Sequence, residues 1–178
     1  MKNLSLYTVD NEYVNYLRCF DKNILAADKD TYVTERKYLG VVFSINGFNY
    51  FAPLSSPKES DYTYINGRKC VRKSIVPLFR ILSSKGHLLG KVKLNNMIPV
   101  PDKCLRKYDV NGEPDKKYRS LVIDEIIYIR ENEKRILKNA KILYKQKIGN
   151  YKGINYLNST VNFKAAERRC NDYINQYI

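Results

Sequence analysis

Leu39-Gly40-Val41-Val42-Phe43-Ser44-Ile45-Asn46-Gly47-Phe48-Asn49-Tyr50-Phe51-Ala52-Pro53-Leu54-Ser55-Ser56-Pro57-Lys58 decides the fold. Leu39 to Ile45 is rich in β-formers, and Asn46-Gly47 is the two-residue turn that best matches the twist of an antiparallel pair. Phe48 to Ala52 then returns as the second strand. Pro53 and Pro57 cannot donate to a sheet ladder, so the spacing predicts that the return strand ends there in a loop carrying Ser55, Ser56 and Lys58. Hydroxyls beside a fixed cation suit a phosphate oxygen, and binding residues often sit on loops held by a rigid scaffold. A surface turn is the plainer reading of the same residues.

Upstream, residues 21–37 are polar and loop-like, long enough without structure of their own to suggest a functional segment. In an antiparallel pair the start of one strand lies beside the end of the other. Tyr32, Arg36 and Lys37 are therefore expected near Ser55, Ser56 and Lys58. Before that loop, residues 3–8 alternate as a short strand, and Asp10 caps a helix carrying Tyr13, Val14, Tyr16, Leu17 and Phe20.

Downstream, residues 59–73 are polar, with a second Asn66-Gly67 turn and a basic cluster of Arg68, Lys69, Arg72 and Lys73. That cluster reads equally as a solvated loop or as contacts along an RNA strand. Ile75 to Leu82 and Leu88 to Leu94 read as strands around a Ser83-Ser84-Lys85-Gly86 turn, the second contributing Lys91 and Lys93, which with Lys37 are expected as further RNA contacts. Residues 101–114 read as a connector. Helical periodicity takes over from Tyr118, continues from about Glu131 to Lys147 until Gly149, and returns from Asn162 to Tyr177. Strands first and helices last predict an α+β domain, a strongly bent antiparallel sheet packed by helices, with the C-terminal third helical. With no repeat or boundary, residues 1–178 are expected to form one domain.

Thirty-two Lys and Arg against eighteen Asp and Glu give the 178-residue chain a net charge of +14, the footprint of a polyanion-binding protein. Sixteen tyrosines accompany the cations, a combination that favours single-stranded nucleic acid. A membrane partner lacks a lipidation signal or a spanning run, and a cytoplasmic location is expected. Cys19, Cys70, Cys104 and Cys170 lack zinc-knuckle spacing and are expected as reduced core or half-buried thiols.

His87 is the single histidine, which excludes a two-histidine ribonuclease and a multi-histidine metal site within one chain. Asp28 and Asp30 lack companion carboxylates in a recognisable metal-nuclease arrangement, and no phosphate-binding G-x-x-x-x-G-K-[ST] loop is present. No metal or cofactor is expected. Metal-free phosphoryl chemistry remains, because RNA carries its own nucleophile in the 2′-hydroxyl. An enzyme then needs to align it, remove its proton and stabilise phosphate charge. A lysine whose pKa is lowered by neighbouring cations suits the proton transfer.

The chain resembles the ToxN/AbiQ family, the endoribonuclease toxins of type III toxin–antitoxin systems that act in abortive phage defence. The resemblance rests on Tyr50-Phe51-Ala52-Pro53-Leu54-Ser55-Ser56-Pro57-Lys58, similar to the family's Y-L-A-P-L-[ST]-S-P-K. It extends to Thr31-Tyr32, to Leu39-Gly40-Val41-Val42, to Leu89-Gly90-Lys91-Val92-Lys93-Leu94 with Met97-Ile98-Pro99-Val100, and to the helical pattern from Tyr118 to Arg130. It implies a compact barrel-like sheet similar to the MazF/Kid toxins. It also implies metal-independent cleavage of A-rich RNA to 2′,3′-cyclic phosphate and 5′-hydroxyl ends. The implied partner is a small repeated pseudoknot RNA that the toxin processes and that inhibits it in a protein–RNA assembly.

By the same motif Ser55 is implied to orient the scissile phosphate, beside Ser56, and Lys58 to stabilise its charge. Tyr32 is implied to stack a base or touch the phosphate. The family has a lysine four residues before the glycine; here that position is Arg36, which holds charge but does not readily give up a proton, and Lys37 is adjacent. A noncatalytic RNA-binding protein would share the composition. A DNA-binding transcription factor would need a recognition helix, whereas these helices read as core-packing.

Overall fold

The computed structural model describes residues 4–26, 28, 29 and 32–178, with residues 28, 29 and 32–34 described as backbone only. It is α+β. Seven antiparallel strands form the main sheet: β1 (Ser5–Val9), β4 (Tyr38–Ile45), β5 (Phe48–Ser55), β8 (Leu78–Leu82), β9 (Leu88–Lys93), β10 (Ile98–Pro99) and β11 (Leu105–Lys107). Two short pairs, β2 (Asp28–Lys29) with β3 (Tyr32–Glu35) and β6 (Tyr62–Ile65) with β7 (Arg68–Val71), stand apart from it. The helices are α1 (Asn11–Arg18), α2 (Lys116–Glu131), α3 (Glu133–Ile148) and α4 (Phe163–Tyr177).

The β4–β5 hairpin sits at the centre, turning through Asn46 and Gly47 at φ of 50° and 83°, the left-handed geometry that Asn-Gly tolerates. The sheet runs β11-β1-β4-β5-β9-β8, so β8 and β11 are its edges and it is not closed. One side of β5 is served by two pieces: Leu54 and Ser55 pair with Val92 and Lys91 of β9, while Tyr50 and Phe51 pair with Pro99 and Ile98 of β10. A 3₁₀ turn at Leu94–Asn96 separates the pieces and lets the sheet bend.

Several expected boundaries move. β5 continues to Ser55, not Ala52, because Leu54 N–H donates to the Lys37 carbonyl at 2.8 Å and carries the pairing past Pro53. Residues 59–73, read as a polar stretch with a turn at Asn66-Gly67, contain the β6–β7 ribbon around that turn. The polar stretch 21–37 contains β2 and β3, the strand expected from Ile75 begins at Leu78, and the connector 101–114 contains β11. The helix starts agree with the capping chemistry: Asp10 Oδ1 accepts from Glu12 N–H at 2.8 Å and Asn162 Oδ1 from Ala165 N–H at 3.1 Å.

Much of the tyrosine content is structural. Tyr13, Tyr38, Tyr50 and Tyr144 are at most 1% exposed, packed with Phe51, Phe79 and Phe163. Tyr50 and Tyr144 both donate to Glu167 Oε1, at 2.9 and 2.6 Å, so their hydroxyls are satisfied inside the core. The four cysteines are free thiols; Cys104 and Cys170 are buried, Cys70 is half-buried, and Cys19, expected at least half-buried, is exposed. Among the described residues no helix is long and apolar enough to cross a membrane.

Candidate active site

The site forms where β5 ends. Ser55 is the last strand residue, opposite Lys91, and Ser56 begins the loop. Ser55 Oγ has a weak 3.5 Å contact to the Ser56 carbonyl. A cleft enclosing about 60 Å³ of water-accessible space lies beside these serines, lined also by Arg36, Lys37, Tyr118 and Glu125. Arg36 is fixed by two backbone carbonyls, Nε to Ala26 at 2.7 Å and an Nη to Leu54 at 3.2 Å, and burial lowers its guanidinium from the ordinary value.

Lys37 is buried. Its ammonium lies 4.5 Å from the Tyr108 ring centroid and 4.7 Å from that of Tyr118, a cation held between two rings at the cleft wall. Burial, then the charges of Glu125 and Glu113, push the Tyr118 phenol up to about 12. Glu125, on α2, lies against the backbone of β9: a Cβ on Gly90 would come 2.2 Å from its Oε1 and 3.4 Å from the Ser55 carbonyl. Glycine leaves room there for the Glu125 carboxylate to lie against the strand.

Lys58 follows on the loop, exposed at its side chain and fixed at its backbone. Its N–H donates to Asp61 Oδ2 at 2.9 Å, and Asp61 N–H returns a bond to the Lys58 carbonyl at 2.9 Å. Asp61 is 1% exposed and holds an ion cluster: Arg80 donates to Oδ1 through Nε at 3.2 Å and an Nη at 3.0 Å, and Lys91 Nζ makes a short bond to Oδ2. Burial would raise the Asp61 carboxyl, but the bonds and charges of Lys91, Lys58 N–H and Arg80 hold it below the usual aspartate range.

Lys91 was expected on the RNA face, and the structure corrects this: it is 5% exposed and neutralised by Asp61. Lys93, two residues on and on the same face of β9, is different. No ion pair involves it among the described residues, and it is half-buried. Burial first, then the positive charges of Lys91, Lys58 and Arg36, push its ammonium below the ordinary lysine value. Arg36, Lys58 and Lys93 thus form one electrostatic group at the Ser55 end of the sheet.

The β6–β7 ribbon carries the remaining basic residues. Arg68, Lys69, Arg72 and Lys73 are exposed; Lys69 pairs with Glu59 at 2.7 Å, Arg72 Nε donates to the Tyr62 carbonyl at 2.8 Å, and the Lys73 carbonyl accepts from Arg80 at 2.8 Å. Tyr64 and Ile65 stand 66% and 57% exposed between them. The ribbon's return strand is tied down where Arg72 N–H donates to the Asp61 carbonyl at 2.9 Å. The side chains of Tyr32, Asp28 and Asp30 lie outside the described residues. His87 is exposed on its turn, its N–H donating to Ser83 Oγ at 3.1 Å. Sequence reasoning missed Asp61, Arg80, Tyr118 and Glu125, which meet the site only through tertiary packing.

The family model of toxin ToxN of type III toxin–antitoxin systems matches residues 5–171. The chain belongs to the ToxN toxin family. Endoribonuclease AbiQ of Lactococcus lactis subsp. lactis is 30% identical over 170 residues, covering 96% of this chain and 89% of AbiQ. The solved structure of AbiQ, a lactococcal anti-phage endoribonuclease of a type III toxin–antitoxin system, superposes with a TM-score of 0.81 at 25% identity, over 98% of this chain and 99% of that one. A structure from a bacterial antiviral system regulated by a processed non-coding RNA superposes at 0.80 with 26% identity, over 94% of this chain and 98% of that one.

Proposed function

We propose that this ToxN-family endoribonuclease cleaves A-rich RNA without a metal, at the group formed by Ser55, Ser56, Lys58, Arg36 and Lys93. The observation that carries the reading is Arg36 lining the cleft with Ser55 and Ser56 at the end of β5, where Lys58 follows on the same loop and Lys93 on β9 feels the charge of both, none of the three being in an ion pair among the described residues. Arg36 and Lys58 hold the non-bridging phosphate oxygens, where charge grows as the 2′-oxygen attacks. Ser55 and Ser56 orient the phosphate for in-line displacement. Arg36 keeps its proton, so the proton-transfer role passes to Lys93, whose neutral amine is accessible at lower pH than that of an ordinary lysine. Lys93 takes the 2′-hydroxyl proton, the new O–P bond closes the 2′,3′-cyclic phosphate, and the 5′-oxygen leaves and gains a proton from water.

Tyr32 stacks a base or touches the phosphate. Tyr64, Arg68, Lys69, Arg72 and Lys73 guide the flanking strand, and Lys37 sets the charge of the cleft wall. The regulating partner is a small repeated pseudoknot RNA processed by the toxin and held with it in a protein–RNA assembly in the cytoplasm. We read the chain as one toxin domain whose bent sheet is of the MazF/Kid barrel-like kind.

The test is cleavage of an A-rich RNA in excess EDTA by wild type, Ser55→Ala and Lys58→Ala. Cyclic-phosphate ends from wild type, with each variant slower by about 10²–10³-fold, are expected. Tight binding without cleavage by any of the three would leave a noncatalytic RNA-binding protein.

A further inference from the structure

Helix α3 carries charge of one sign. Of its ionisable Lys, Arg and Glu residues, six are basic and one, Glu133, is acidic. Four of the lysines, Lys134, Lys138, Lys141 and Lys145, recur at intervals of four, three and four, and at 100° per residue they fall in one line down the helix. That line faces roughly opposite to the buried Ile136, Ala140, Leu143 and Tyr144, through which α3 joins the core. All four lysines are exposed and none is in an ion pair among the described residues; with Leu137 and Ile142 they border a shallow surface groove.

A solvated helix face ordinarily interleaves signs, because like charges three and four apart repel and weaken the helix. Helix α4 does so: Lys164 pairs with Glu167 and Arg169 with Asp172, at 2.8 and 3.1 Å. Helix α3 has like neighbours throughout the row. The row is straight and stiff and spans about 16 Å from first to last lysine at 1.5 Å per residue. It contains no aromatic side chain, so it offers nothing for an unpaired base to stack on, unlike the β6–β7 ribbon with Tyr64. Such a row suits the regular phosphates of a double-helical stem, which proteins grip by shape and backbone charge. A membrane surface would call for a broad apolar face, and only the half-buried Leu137 and Ile142 flank the lysines.

We propose that the Lys134–Lys138–Lys141–Lys145 face of α3 is a docking surface for the phosphate backbone of an RNA stem, separate from the cleaving group on β5 and β9. The choice of RNA as the polyanion rests on the endoribonuclease reading above. The surface holds the folded part of an RNA whose single-stranded part enters the cleft.

The test uses the full chain and a variant with all four lysines changed to Gln, with a four-Arg variant as the charge-preserving control. The binding probe is a G·C-paired RNA hairpin titrated across salt concentrations; the cleavage probe is a short A-rich single strand. The Gln variant is expected to bind the hairpin at least about tenfold more weakly, with a log–log salt slope smaller by about three to four, while cleaving the A-rich strand at the wild-type rate. The Arg variant is expected to bind as wild type does. Equal hairpin binding by wild type and Gln variant overturns the proposal. So does a loss confined to phosphatidylglycerol vesicles, which would make α3 a membrane face. Loss of hairpin binding on the α3 row in a protein that never cleaves would leave this surface standing and refute the endoribonuclease reading instead.

Discussion

Lys91 and Lys93 sit two residues apart on one face of β9, and the protein treats them oppositely. Lys91 is buried against Asp61, which also binds Arg80, so its charge is spent on holding the sheet to the loop. Lys93 is half-buried beside Arg36 and Lys58 and has no ion pair among the described residues. Identical side chains on one strand thus divide according to whether a carboxylate bonds to them, Lys91 to structure and Lys93, in the reading proposed above, to chemistry. A neutralised cation cannot serve a phosphate, and an unneutralised one strains its own protonation until a phosphate arrives.

The sharpest way to break this contrast is at Lys93. Lys93→Met is expected to slow cleavage by about 10²–10⁴-fold, and Lys93→Arg to leave the rate low while keeping the charge. The folded pKa of Lys93 lies below the ordinary value, so its neutral form grows in at lower pH than for a free lysine. Single-turnover rates should therefore rise with pH and level off at a lower pH than an ordinary lysine would dictate in wild type, and lose that rise in Lys93→Met. A rise that persists in Lys93→Met would take the proton-transfer role away from it.

The Lys91 side is broken at its carboxylate. Asp61→Ala leaves Lys91 and Arg80 buried without their partner, and urea unfolding should show a loss of about 3–5 kcal/mol. Because Asp61 is held below the usual aspartate range, its contribution is intact above that range and falls away as pH drops through the lowered value. Wild type should thus lose stability on strong acidification along a limb that Asp61→Ala lacks.

Smaller effects sharpen the boundary between the two regions. Gly90→Ala would press a methyl onto the buried Glu125 carboxylate, which must move aside, and is expected to cost about 1–3 kcal/mol by urea unfolding, with a fall in cleavage. Least of all, Lys69→Ala removes an exposed, solvent-screened pair with Glu59 and should leave the urea unfolding midpoint essentially where it is. Its effect belongs in the salt dependence of RNA binding, where the slope should fall by about one.

The hairpin was legible because Asn46-Gly47 is a local signal, and antiparallel geometry alone brings Arg36 and Lys37 to the end of β5. The difference between Lys91 and Lys93 was not legible. Alternation puts both on one face, and nothing near either says that Asp61, thirty residues earlier than Lys91, will reach only one. Composition misled in the same way over tyrosine: Tyr13, Tyr38, Tyr50 and Tyr144 look like stacking rings in a count and turn out to be core. Strand β11, three residues with two cations, has no pattern of its own and exists because β1 offers it an edge. Local chemistry writes turns and caps into the chain, whereas the partner of a buried charge is fixed only when distant segments meet.

Asp61 has one further consequence. Its carbonyl receives the returning β7 segment through Arg72, while its carboxylate fixes the backbone of Lys58. The ribbon and the Ser55–Lys58 loop therefore rest on a single footing. In the cleavage proposed above, a strand that tilts the ribbon would shift the oxygen that positions Lys58, so that capture several residues away would be felt mechanically at the bond to be cut.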